Sequence, residues 1–149
     1  MIYTEQTKKA LKLCFEAHKE QTDKSGMPYV FHPFHLAEQM ETEETVILAL
    51  LHDVVEDTDN TLEDLRELGF GENVMEALAL LTHDDGVDYM EYVQAIKGNP
   101  IAKEVKLADL RHNSDISRLD TVDEKALERR EKYLQAMKLL NEDADCKQK

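Results

Sequence analysis

The six residues Val46-Ile47-Leu48-Ala49-Leu50-Leu51 are apolar on every face of a helix, and they run without a break into His52-Asp53-Val54-Val55-Glu56-Asp57. A helix that is apolar all round belongs inside a bundle, with other helices on every side. Ionisable residues on such a helix need partners, because an unpaired buried charge is very costly. Read as one helix over 43–57, it places His52, Asp53, Glu56 and Asp57 within a sector of about 140°. One side of a central helix is therefore polar and must face a cleft or an ion.

The rest of the chain reads as helices packed around that one. The prolines and glycines fall between apolar-periodic segments, and nowhere do apolar and polar residues alternate over a strand's length. The pattern predicts eight helices, at 3–20, 33–41, 43–57, 61–68, 72–82, 88–97, 100–117 and 123–141. Pro33 and Pro100 suit first helical positions, with Asn99 as a cap. Thr61 with Asp64, and Thr121 with Glu124, have capping-box spacing, while Gly69 and Gly98 suit helix C-termini. At 149 residues the chain fits one domain with one core. The expectation is an all-α bundle over 1–141 followed by a polar tail, 142–149.

Charge narrows the partners. Acidic residues number 32 against 18 basic, a formal net charge of −14. A nucleic-acid polymer or an anionic membrane is bound through clustered Lys and Arg, and both are expected to be excluded. A small anionic nucleotide is not, since one divalent cation and a few local basic groups reverse the sign of a pocket. No stretch reaches the run of about 20 apolar residues that spans a bilayer. The start, MIYTEQTKKA, lacks the order of a secretory signal. Two distant cysteines, Cys14 and Cys146, without metal spacing suit a reduced, cytoplasmic setting.

Two further polar clusters accompany the central helix. In Lys106-Leu107-Ala108-Asp109-Leu110-Arg111-His112-Asn113, the residues Lys106, Asp109 and Asn113 share a helix face at i, i+3 and i+7. Ser25-Gly26-Met27-Pro28-Tyr29-Val30-Phe31-His32-Pro33 is a turn that puts a histidine just before a helix start. Neutral imidazoles and carboxylates together suit a borderline divalent metal such as manganese, iron or zinc. Such a metal activates water and offsets charge on phosphate, and Glu56, one turn after His52, could orient that water or move a proton.

The segments ALLHDVVEDT, SGMPYVFHP and VKLADLRHN together resemble the HD-domain hydrolases of the RelA/SpoT family, from about Ala17 to Asn113. These include the small alarmone hydrolases that remove pyrophosphate from the 3′ position of (p)ppGpp. The resemblance implies an all-helical fold and one divalent ion, usually manganese. It implies metal ligands at His32, His52, Asp53 and Asp109, an acidic catalytic pair at Glu56 and Asp57, and nucleotide contacts near Lys24, Ser25 and Asn113. The chain departs from the family in AHKEQTDKSG: Asp23 stands where a basic residue is usual, and Glu20 replaces a glycine. A chain of this length leaves no room for a synthetase domain, so net alarmone synthesis is not expected.

Blander alternatives stand beside each residue. His52 and Asp53 could be a buried hydrogen-bonded pair, His32 a packing histidine, and Asp109 a partner of Lys106 or Arg111. Glu56 and Asp57 could form a solvated helix end. His18 reads as core, His35 and His112 as supports, and His83 as part of a solvated turn. Tyr89 and Tyr92 read as a packing pair. Lys24, Lys106, Arg111 and Arg118 are candidates for phosphate contact, with surface salt bridging as the alternative. The functional rivals to (p)ppGpp hydrolysis are hydrolysis of another nucleotide, favoured by Asp23, and a non-catalytic metal-stabilised nucleotide sensor.

Overall fold

The computed structural model describes residues 1–142. Among them the chain forms nine α-helices and one 3-10 turn, and the only β feature is a single antiparallel bridge between Thr22 and Pro28. The helices are α1 (Glu5–His18), α2 (Phe31–Glu38), α3 (Glu43–Leu51), α4 (Val54–Asp57), α5 (Leu62–Glu67), α6 (Glu72–Leu81), α7 (Tyr89–Lys97), α8 (Pro100–Asn113) and α9 (Glu124–Asn141). The all-helical expectation holds. The polar tail expected at 142–149 lies outside the described residues from position 143 onward.

Helix α3 is the centre of the bundle. Val46 to Leu51 are all buried, and the helix packs against α1, α2, α6 and α8. Removing a leucine side chain from water is worth roughly 1.5–3 kcal/mol, so this one helix holds a large share of the apolar driving force. Its start is fixed by Thr42 and Thr45, whose side chains cap each other's backbone N–H groups. The same reciprocal device starts α1, through Thr4 and Thr7, and α5, through Thr61 and Asp64. Helix α8 begins as its sequence indicates, with Asn99 as cap and Pro100 in the first position.

Four expectations need correction. The helix read at 43–57 is two helices, broken at His52 and Asp53, where Asp53 adopts φ −107°, ψ 1°. That conformation lies in the sparsely populated bridge region where many active-site residues are found. Helix α2 starts at Phe31, so His32 lies in its first turn rather than before it. Helix α8 ends at Asn113, and Ile116–Arg118 form a separate 3-10 turn. Capping is also reassigned at α9: Asp123, not Thr121, accepts the Ala126 N–H at 2.8 Å. An aspartate next to the first turn competes well for that role.

Candidate metal centre

The break after α3 lets two adjacent residues point at one spot. His52 is the C-terminal cap residue of α3, and its Nδ1 lies 2.6 Å from the carbonyl oxygen of Ala49. A carbonyl only accepts, so Nδ1 carries the hydrogen and Nε2 is the lone-pair end of the neutral ring. Nε2 is buried without a hydrogen-bond partner. Yet it lies 3.0 Å from Asp53 Oδ2 and 3.5 Å from Asp109 Oδ1. A lone pair facing two carboxylate oxygens calls for positive charge between them, either a proton or a metal ion.

His32 arrives from α2 and Asp109 from α8. His32 Nε2 is 2.8 Å from Asp109 Oδ1, and donor atoms of His32, His52 and Asp109 all lie within 4.8 Å of one another. All three residues are buried. These three could hold a divalent ion, and the orphaned Nε2 of His52 is the observation that fits one. Asp53 is the neighbour of this triad; its Oδ2 accepts the Tyr29 hydroxyl and stands beside His52 Nε2.

Electrostatics agree with a cation here. Burial would lower the His52 pKa, but the Asp53 and Asp109 carboxylates outweigh it and raise the ring well above its usual range. Burial would raise Asp109, but Lys106, His32 and His52 hold it well below the ordinary carboxylate value. In the metal-free protein the proton thus takes the place a metal would fill.

Surrounding groups orient the donors. Lys106 Nζ donates to Asp109 Oδ2 at 3.0 Å and Asn113 Nδ2 to Oδ1 at 2.9 Å, so the three-residue face read from the sequence is real. His32 Nδ1 lies 2.6 Å from His112 Nδ1, with the rings nearly parallel. Burial, reinforced by His32, pushes His112 down to about 4. The His35 ring lies tilted against His112, with ring centroids 4.3 Å apart. His18 is fully buried, with its Nδ1 2.8 Å from Gln21 Oε1.

Two cavities flank α4. The outer cleft, about 480 Å³, is lined by Lys24, Ser25, Tyr29, His32, Asp57, Asn113 and Arg118 among others. That volume is in the range of small-molecule sites. The inner cavity, about 30 Å³, is lined by His52, Asp53, Glu56, Tyr92, Lys106 and Asp109. Glu56 and Asp57, about 100° apart as neighbours on a helical turn, therefore line different cavities. Both keep solvent contact, yet burial of the carboxyl raises Glu56 and, with Asp53 adding to it, raises Asp57 to about 6.

Lys24, Ser25 and Asn113, expected near a nucleotide, line the outer cleft. Lys106, expected at the substrate, instead faces inward, against Asp109 and over the Tyr92 ring. Reasoning from sequence missed Tyr29, whose hydroxyl reaches Asp53. It also missed His83, read as a solvated turn. The His83 ring stacks on Tyr92 and its backbone N–H donates to Glu56. The signal for Tyr29 was its place three residues before His32; nothing local marked His83.

The chain resembles known proteins. Residues 10–138 match the family model of the HD domain. The chain is 40% identical over 114 residues to guanosine-3′,5′-bis(diphosphate) 3′-pyrophosphohydrolase MESH1 of Mus musculus, covering 66% of this chain and 63% of that protein. It is 34% identical over 123 residues to guanosine-3′,5′-bis(diphosphate) 3′-pyrophosphohydrolase of Aquifex aeolicus, covering 74% of this chain and 18% of that protein. It is 35% identical over 113 residues to the bifunctional (p)ppGpp synthase/hydrolase SpoT of Escherichia coli, covering 66% of this chain and 16% of that protein. The chain thus spans under two thirds of the mouse protein and less than a fifth of the two bacterial ones. A solved structure, described as a metazoan ortholog of SpoT that hydrolyses ppGpp, superposes with a TM-score of 0.72 at 28% identity, over 94% of this chain and 85% of that one. With a helical fold, a matching family model over most of its length and these relatives, the chain belongs to the HD-domain family and is homologous to the MESH1 and SpoT ppGpp hydrolases.

Proposed function

We infer that this chain is a divalent-metal phosphohydrolase that removes pyrophosphate from the 3′ position of (p)ppGpp. The observation that carries the reading is the convergence of His32, His52 and Asp109, with donor atoms mutually within 4.8 Å, beside a cleft of nucleotide size. The names of the mouse and Aquifex relatives support the choice of substrate.

His32, His52 and Asp109 would hold the ion, with Asp53 as the fourth donor. Manganese is the proposed metal, since imidazole and carboxylate donors together suit it. Such a cation would supply activation of water and offset charge building on the phosphate. Glu56 faces the same interior as His52 and Asp109 and is fixed by the His83 N–H. Its raised pKa suits it to accept the proton that the water gives up. Asp57, on the cleft side with a pKa of about 6, would exchange a proton with the departing group. Lys24, Ser25 and Asn113 are assigned to the substrate, and Lys106 to holding Asp109. Residues 1–141 act as one catalytic unit, in a reduced, cytoplasmic setting that Cys14, buried in the core, tolerates.

The test is chromatographic. Purified protein with manganese and ppGpp is expected to yield GDP and pyrophosphate, with His52→Ala as the blank. No release above that blank eliminates the substrate assignment. Elemental analysis of protein purified without chelator separates loss of the metal from the wrong nucleotide.

A further inference from the structure

Two walls of the outer cleft meet at one ion pair. Asp23 lies in the loop between α1 and α2, and that loop consumes one of its carboxylate oxygens. Oδ1 accepts the backbone N–H of Ser25 at 2.8 Å and of Met27 at 3.0 Å. The turn is closed by the Asp23 N–H donating to Met27 O and by Gly26 at φ +79°, a conformation that favours glycine. Asp23 therefore cannot swing away, and its Oδ2 is left 3.6 Å from Arg118 Nη2.

Arg118, in the 3-10 turn after α8, is anchored as firmly. Its Nη1 donates to His112 O at 2.8 Å, and its own carbonyl accepts the Ser25 hydroxyl at 2.8 Å. The contact with Asp23 is an ion pair too long for a good hydrogen bond. A guanidinium has five N–H donors in a rigid fork, so donors remain for an anion in the cleft. Arg118 and Asp23 side chains keep 28% and 22% of their surface exposed, which leaves the pair accessible to a ligand.

We propose that Asp23 and Arg118 together set how much negative charge the cleft accepts: Arg118 takes a substrate phosphate, and Asp23 opposes it. This rests on reading the outer cleft as a nucleotide site. A phosphate docks on arginine through paired N–H donors, and here it must share the guanidinium with a carboxylate that its own loop holds still. Like-charge repulsion at this range and partial exposure is worth on the order of tenfold in affinity. Arg118 and Asp23 are thus specificity-determining residues, and their effect falls on binding rather than on the chemical step.

Asp23→Asn is the informative variant, because Asn keeps the Oδ1 acceptor that closes the loop and loses only the charge. Equilibrium dialysis in EDTA measures ppGpp, with neutral guanosine as control, on wild type, Asp23→Asn, Arg118→Gln and the double variant. Asp23→Asn is expected to tighten ppGpp about tenfold and leave guanosine unchanged; Arg118→Gln weakens ppGpp by a similar factor. Asp23→Asn is expected to gain clearly less in the Arg118→Gln background, and with manganese its KM falls while kcat holds. Unchanged ppGpp affinity, an equal shift for guanosine, additive effects, or no ppGpp binding to any variant overturns the proposal. If wild type fails to hydrolyse ppGpp but the dialysis shifts appear, the hydrolase reading fails and this one stands. If hydrolysis proceeds and neither affinity nor KM moves, the reverse holds.

Discussion

His52 is tied on one side and bare on the other, and this asymmetry organises the centre. The Ala49 carbonyl fixes the ring, and Nε2 faces carboxylates with no hydrogen-bond partner. Tyr29 does comparable work for Asp53. Tyr29→Phe removes that hydroxyl donor with little change of shape, and manganese affinity by titration calorimetry is expected to fall about tenfold; equal affinity would leave Tyr29 a packing residue. Lys106 compensates Asp109 with both side chains mostly out of water. Lys106→Met strips the buried Asp109 carboxylate of its lysine and leaves only His32, His52 and Asn113 beside it, and urea unfolding of the metal-free protein is expected to lose about 3 kcal/mol. His52 and Asp53 stood out because they interrupt an apolar run, Asp109 because it shares a polar helix face with Lys106 and Asn113, and His32 because its turn belongs to a motif that resembles one family. Tyr29, His112 and His83 acquire their roles only from partners distant in the chain: 24 residues for Tyr29 and Asp53, 80 for His32 and His112. Local spacing does not encode such partnerships.

At the scale of elements, α3 shows what periodicity can and cannot report. Its burial followed directly from a run with no polar face, and the surrounding helices were found within a few residues of their ends. Leu50→Ala removes side-chain volume from a fully buried position and is expected to cost about 2–5 kcal/mol by urea unfolding. A loss within a few tenths of a kcal/mol would mean that the bundle can collapse around the gap. The break at His52 and Asp53 was illegible. Nothing in Leu51-His52-Asp53-Val54 is a helix breaker, and both flanks favour continuation. The interruption reflects tertiary demand: Asp53 meets the Tyr29 hydroxyl and His52 Nε2 from a backbone conformation that a regular helix lacks. Asn99 with Pro100 was readable because that cap is a local device, whereas Asp123 displaced Thr121 through a competition between neighbours that spacing alone does not decide.

For the molecule as a whole, the acidic surface and the site have separate electrostatics. The chain carries −14, yet the outer cleft sets Lys24, Arg118 and Arg129 against Asp23, Asp57 and Asp115. Charge composition left room for a small anion and named no place for it. The buried centre makes stability depend on pH, and the proposed ion would couple to it. His52 is raised above 6.5, so its contribution to the metal-free fold is complete below about pH 6.5 and fades as pH rises through the folded value. Asp109 is lowered below 3.8, so its contribution is present above that pH and is lost only in stronger acid. A metal must displace the His52 proton, so saturating manganese is expected to raise Tm more at pH 8.5 than at pH 6.0 in thermal unfolding. An equal gain at both would detach the ion from His52. Helix α4, a single turn with Glu56 opening to one chamber and Asp57 to the other, acts as a septum whose sides are assigned by residue count. Each residue added to the turn would rotate the later side chains by about 100°. Permuting the letters Val-Val-Glu-Asp would keep the composition and erase the division. Order along that turn, more than the mere presence of two acids, is what this fold has to preserve.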